Sequence, residues 1–181
     1  MTATPEVREA MLAAIPSLRA FAISLAYNVD RADDLVQDTI VRAWANLDRF
    51  EAGTNLNAWL FTILRNAFYS QHRKAKREVS DPEGSYAAHR GTVPEQNAKC
   101  DFQDMRTALA KLPVDQREAL ILIAAEGLSY EEAAQVCGVA VGTIKSRVHR
   151  ARLRLAQLLS VEDADDLGPD EVMQAALQSA I

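Results

Sequence analysis

The stretch SYEEAAQVCGVAVGTIKSRVHRARLRL, Ser129 to Leu155, decides how the chain folds. Ser129 and Glu132 have the S-x-x-E form of a capping box, in which a hydroxyl and a carboxylate satisfy each other's backbone amides at a helix start. A helix is therefore expected from Tyr130. It should be short, because Gly138 follows Ala133, Ala134 and Val136 and can take the left-handed conformation that ends a helix. A second helix should start near Val141, with Val141, Ile144, Val148, Ala151, Leu155 and Leu158 at steps of three or four as its buried stripe. A capped short helix, a glycine turn and a longer helix with a basic outer face outline a helix-turn-helix, whose second helix enters the major groove of DNA. The outward positions are then Thr143, Lys145, Ser146, Arg147, His149 and Arg150.

The charge in this stretch runs against the rest of the chain. The formal net charge is −5, yet Lys145, Arg147, Arg150, Arg152 and Arg154 crowd into a segment with no acid from Ala133 to Val161. An ordinary solvated helix face would mix signs to gain pairs at four-residue spacing. Duplex DNA offers a dense line of phosphates, and each cation that neutralises one releases condensed counterions. Arginine and lysine also read guanine edges, while serine and threonine donate to phosphate oxygens and bases. The local charge favours DNA over a solvated face.

Around this motif, apolar residues recur at helical spacing almost everywhere and no sustained period-two alternation appears, so the chain is expected to be all-α. The segment EVSDPEGSYAAHRGTVPEQN carries two prolines and two glycines and reads as a flexible linker over 78–97. It divides a helical domain over 5–77 from a second one over 98–160. The acidic tail over 161–181 holds six acids and no Lys or Arg, and a frayed, solvated terminus is its expected state. No uninterrupted apolar run reaches the ~18 to 20 residues that span a bilayer, and the N-terminus lacks the order of a secretory signal. No membrane association and a cytoplasmic location follow as expectations. Cys100 and Cys137 lack any ligand spacing, which points to no metal, no cofactor and no disulfide.

The first block carries a second acid-free cationic segment, Ala52 to Arg77, ending in RNAFYSQHRKAKR. Rings among cations suit single-stranded nucleic acid, since unpaired bases stack on them while the cations hold the backbone. Trp59, Leu60, Ile63, Leu64 and Phe68 nonetheless recur at helical spacing and are expected in the core. Just upstream the sign reverses: Asp30 to Glu51 holds six acids against three arginines. Asp33, Asp34, Gln37 and Asp38 lie around a helix whose buried stripe would be Val36, Ile40, Trp44 and Leu47. From composition, that acidic face suits a protein partner or plain solvent equally.

The segments DDLVQDTIVRAW, NAWLFTILRN, LPVDQREALIL and LSYEEAAQVCGVAVGTIKSRVHRARLRL resemble bacterial RNA polymerase sigma factors of the extracytoplasmic-function group. The resemblance covers about Pro16 to Leu159 and follows that group's σ2–linker–σ4 order. FEAGTNLNAWLFTILRNAFYSQHRK with PEQNAKCDFQDMRTALAKLP is more narrowly similar to EcfG-type factors, which run the general stress response of alphaproteobacteria. The resemblance implies a factor that binds core polymerase and promoter DNA and initiates transcription. It implies that Asp34, Gln37 and Asp38 contact the β′ clamp helices, with the β flap as a second core contact. It implies a minus-ten element read by Phe50, Asn55, Asn57, Asn66, Arg73 and Lys74, with one base flipped into a pocket. Thr143, Lys145, Ser146, Arg147, His149 and Arg150 would contact the minus-thirty-five element. A NepR-type anti-sigma factor is the implied regulator. One departure is Ala124 and Ala125 before the capping box, where many members carry a basic residue; a phosphate contact there is in doubt, although the alanines fit the EcfG-type subgroup.

Three rivals compete. A sigma-like protein that sequesters the anti-sigma factor has little need of a basic recognition helix. A stand-alone helix-turn-helix regulator would need a dimerisation or effector domain where the σ2 motif lies, and would not bind core polymerase. An enzyme is disfavoured because His72, His89 and His149 form no triad or metal spacing.

Overall fold

In the computed structural model the chain is described over residues 5–78 and 98–160, with side chains over 5–75 and 104–160. The expected linker, apart from Glu78, and the acidic tail lie outside the described residues. Among the described residues the regular structure is helical: α1 (Pro5–Ala13), α2 (Ile15–Ala26), α3 (Val29–Ala45), a 3-10 turn at Leu47–Arg49, α4 (Leu56–Glu78), α5 (Ala98–Ala110), α6 (Val114–Ala124), α7 (Tyr130–Cys137) and α8 (Val141–Leu159).

Local chemistry sets the helix boundaries. Asn28 caps α3, its side chain accepting from the Arg31 amide at 2.8 Å. Asn55 does the same for α4, accepting from the amides of Asn57 at 3.0 Å and Ala58 at 3.2 Å. Both halves of the expected capping box form on α7: Ser129 accepts from the Glu132 amide at 3.1 Å, and the Glu132 carboxylate accepts from the Ser129 amide at 2.8 Å. Gly138 then takes φ 65°, and Val139 donates back to the Ala134 carbonyl at 3.1 Å, which closes the helix end. A side chain at that φ is strained, so glycine is favoured there.

The first block packs α2, α3 and α4 around Leu18, Phe21, Leu35, Leu60, Phe61 and Leu64, with the Phe21 and Phe61 rings edge to face at 5.1 Å. In the second block, α6, α7 and α8 enclose Leu120, Leu122, Ile144, Val148 and Leu155. The stripe expected on α8 holds, with Val141 and Leu158 half-buried at its ends. On α3 the expected stripe is displaced. Its buried residues are Ala32, Leu35, Val36, Thr39 and Ala43, while Trp44 is 51% exposed and Ile40 and Leu47 are half-buried. Alanine and threonine let α3 approach its neighbours closely, and the larger indole is left outside.

The two blocks touch. Helix α2 meets α6, α4 meets α7, and one continuous set of buried apolar side chains runs through both.

Candidate nucleic-acid interface

The turn at Gly138 aims α8 so that its buried stripe faces α6 and α7 and Lys145, Arg150 and Arg154 face outward. Lys145, His149 and Arg150 are exposed; Thr143, Ser146 and Arg147 are half-buried. These positions are held rather than loose. The Lys145 ammonium sits 5.7 Å from the centre of the Tyr130 ring. Arg150 donates to the Ser146 carbonyl at 3.2 Å and to its hydroxyl at 3.1 Å. Arg147 turns back toward α6 and pairs with Asp115 at 3.2 Å.

The N-terminal residues named from the sequence fall around the start and the outer face of α4. Phe50 is half-buried with its ring 5.4 Å from that of Trp59. Asn57, Asn66, Arg73 and Lys74 are exposed, and Asn66 and Arg73, seven residues apart, share one helix face. Asn55 is already engaged. Besides capping α4, its amide donates to the Glu132 carboxylate at 2.8 Å, across to the second block.

On α3, Asp34 and Gln37 are exposed, and Asp38 is half-buried with Arg42 donating to it at 2.8 Å. Asp33 faces elsewhere and pairs with Arg19 at 2.7 Å. Val41, 67% exposed, and Trp44 continue the line of Asp34 and Gln37 at helical steps. The face therefore joins carboxylates to bare apolar surface, a combination that solvent alone does not favour.

These three surfaces coincide with two family models: "Sigma-70 region 2" matches residues 11–78 and "Sigma-70, region 4" matches residues 102–155. The chain is 59% identical over 177 residues to the ECF RNA polymerase sigma factor EcfG of Rhodopseudomonas palustris, covering 98% of each. The chain belongs to the ECF sigma factors of RNA polymerase. Among solved structures, it is similar to the sigma factor RpoE of Bartonella quintana in complex with the anti-sigma factor NepR, at 56% identity and a TM-score of 0.79, covering 87% of this chain and 99% of that one. CnrH in complex with the cytosolic domain of CnrY matches at 27% identity and a TM-score of 0.59, covering 87% of this chain and 89% of that one.

In this sigma factor, the junction of α4, α6, α7 and α8 buries a polar cluster that the sequence reading missed. Glu118 on α6 is 0% exposed and accepts a short hydrogen bond from Arg65 of α4, with Tyr69 donating to its other oxygen at 3.3 Å. Burial pushes the Glu118 carboxyl up, against the opposing pull of Arg65. Burial would lower Arg65, but the charge and hydrogen bond of Glu118 raise it. Tyr69 and the Cys137 thiol are each pushed up to about 12 by burial, and the Glu118 charge adds to both. That keeps Cys137 an inert core thiol at neutral pH. Next to the cluster, the Arg117 guanidinium lies 4.4 Å from the centre of the Tyr27 ring and donates to the Leu112 carbonyl at 3.1 Å. The available signal was a lone acid, Glu118, opening the apolar run EALILIAA. No group of His, Cys, Asp or Glu that could hold a metal is found among the described residues.

Proposed function

We propose that this sigma factor brings core RNA polymerase to promoters by dividing recognition between two domains, 5–77 and 98–160, joined through 78–97. Thr143, Lys145, Ser146, His149 and Arg150 face the minus-thirty-five element, with Arg147 braced behind them. Phe50, Asn55, Asn57, Asn66, Arg73 and Lys74 take the opened minus-ten strand. Unstacking a base costs a few kcal/mol, which a pocket beside the Phe50 and Trp59 rings and the α4 cations offsets. Asp34, Gln37 and Asp38, extended by Val41 and Trp44, dock on polymerase. The chain performs no chemistry itself, and its place is with polymerase in the cytoplasm; no single helix among the described residues is long and apolar enough to cross a membrane.

The observation that carries this reading is the sorting of charge. A chain of net charge −5 keeps Ala52 to Arg77, nearly all of α4, and the whole of α8 free of acids, and places an acidic, apolar-edged face on α3. The NepR bound to the Bartonella factor supports a NepR-type anti-sigma factor as regulator here, and the likeness to EcfG supports general stress promoters as targets. Transcription in vitro with purified core polymerase is the test. Start-specific transcripts from stress promoters that depend on the added chain are expected; a folded chain that yields none on any promoter overturns the reading.

A further inference from the structure

Arginines on the surface of this chain commonly find a carboxylate: Arg19 pairs with Asp33, Arg42 with Asp38 and Arg147 with Asp115. Among the described residues, Lys145, Arg150 and Arg154 of α8 have no such partner. They lean instead on the Tyr130 ring, on Ser146 and on the Gln157 side chain, to which Arg154 donates at 3.3 Å. All three are exposed, and Leu153, 43% exposed, falls between them on the same helix face. The face is cationic with a bare apolar residue in its middle.

The chain's own continuation has the complementary composition. It leaves α8 at Ser160, whose left-handed backbone, φ 56° and ψ 35°, ends the helix and turns the chain off its axis. Past that residue, 161–181 carries Glu162, Asp163, Asp165, Asp166, Asp170 and Glu171 with no Lys or Arg. Arg154, Arg150 and Lys145 stand about 9, 15 and 22 Å back along α8 from Ser160, at a rise of about 1.5 Å per residue. The acids from Asp163 to Glu171 have a reach of up to about 10 to 36 Å from the same point, at about 3.3 Å per extended residue. They therefore span every cation on the face without stretching. Leu167, next to Asp166, also gives the bare Leu153 an apolar partner, which a phosphate backbone does not.

We propose that the acidic tail folds back along the exposed face of α8 and occupies the cations meant for the minus-thirty-five element, so that DNA must displace it. This rests on the reading of α8 as the DNA-reading helix. A tethered ligand works at an effective concentration in the millimolar range, so even weak binding of the tail is populated. Competition lowers the affinity for every duplex by one factor, whatever its sequence. Weak sites held by phosphate contacts alone then empty first, while strong promoters persist.

Two measurements on the full chain test this. In the first, a carbodiimide joins touching amines and carboxylates at low salt, in an equal mixture of isotope-labelled and unlabelled chain, and joined peptides are read by mass spectrometry. Lys145 is expected to be joined to tail carboxylates within one chain, with a yield that falls as salt screens the contact. Lys145 joined to no tail peptide, tail acids joined instead to Lys74 or Lys76 of α4, or links found only between two chains would each overturn the proposal. The second follows binding to a duplex of arbitrary sequence by fluorescence anisotropy. The combined variant Asp163→Asn, Asp165→Asn and Asp166→Asn is expected to bind about three- to tenfold more tightly than the natural chain. A control that removes the same charge at exposed positions elsewhere, Glu9→Gln, Asp30→Asn and Asp48→Asn, is expected to change affinity by less than about twofold. Equal gains in the two variants, or no gain in the tail variant on a duplex that the natural chain binds, would overturn the proposal. If no duplex binds the natural chain or the tail variant, the DNA reading of α8 fails instead, and the cross-links still decide whether the tail docks.

Discussion

Arg147, on the helix expected to read DNA, faces away from it: its guanidinium reaches back to Asp115 on α6 at 3.2 Å and is only 19% exposed. An arginine in that position braces α8 against α6, and its long stem covers apolar surface on the way. Arg147→Ala is therefore expected to lower unfolding stability by ~1 kcal/mol, and to weaken binding to specific and scrambled DNA alike. Denaturant unfolding alongside DNA titration checks this. Unchanged stability with loss confined to the specific site would return Arg147 to the base-reading set.

Lys145 and Arg150 are the contrast. Both are exposed on α8 and held in place by Tyr130 and Ser146 respectively. Lys145→Ala or Arg150→Ala should weaken minus-thirty-five binding by ~1 to 3 kcal/mol where the contact is to a base edge, with stability unchanged. Equal loss on scrambled DNA would assign that residue to the phosphate backbone, as would a salt dependence reduced by about one ion.

How far the sequence could be read depended on distance along the chain. The α7–turn–α8 unit was legible because each decision is local: a serine and a glutamate three apart, and a glycine at φ 65°. The α3 register was misread because size and apolarity were taken to mark burial, whereas close helix approach selected Ala32, Thr39 and Ala43. The seam between the blocks was not legible at all. Arg65 and Glu118 are 53 residues apart, and no periodicity links an arginine on one helix to a glutamate on another. Asn55 shows the same limit, since one residue serves as helix cap and as interdomain donor while only its loop position could be inferred.

The misread register supplies a test. A buried tryptophan cut to alanine costs ~3 to 5 kcal/mol, whereas an exposed one costs within about 0.5 kcal/mol. Trp44→Ala is expected to leave unfolding stability in the second range while reducing retention of core polymerase in a pull-down. Asp38→Lys should abolish that retention with the fold intact. Co-purification unchanged in both variants would remove α3 as the docking face.

The capping box of α7 makes a narrower prediction. Ser129→Ala removes the acceptor for the Glu132 amide, and such a loss costs ~1 kcal/mol of stability. Glu132 also accepts from Asn55, and its hydrogen bonds to Ser129 and Asn55 hold its carboxyl below the ordinary range. Its contribution is thus present above pH 4.5 and lost as pH falls further. Ser129→Ala, which keeps the backbone amide that the Glu132 carboxylate accepts from, is expected to lower the denaturation midpoint by a similar amount at pH 7 and in acid. A midpoint that does not move would show that α7 is held by its burial alone.

Glu126, just after α6, titrates with the opposite sign. Burial raises its carboxyl from 4.5 to about 7, against a hydrogen bond from Ser17 of α2 that favours the charged form. The packed chain thus holds a proton that the carboxyl gives up once it is solvated. The stabilisation from that proton is complete below pH 4.5 and is lost as pH rises toward 7. Each tenfold change in proton affinity is worth about 1.4 kcal/mol, so the limit is ~3 kcal/mol, and partial solvation of the side chain brings it to ~1 to 2 kcal/mol. Denaturant unfolding at pH 5, 6 and 7.5 should show stability falling with rising pH in the natural chain. Glu126→Gln, neutral throughout, should flatten most of that slope; an identical slope in the variant would place the titrating group elsewhere.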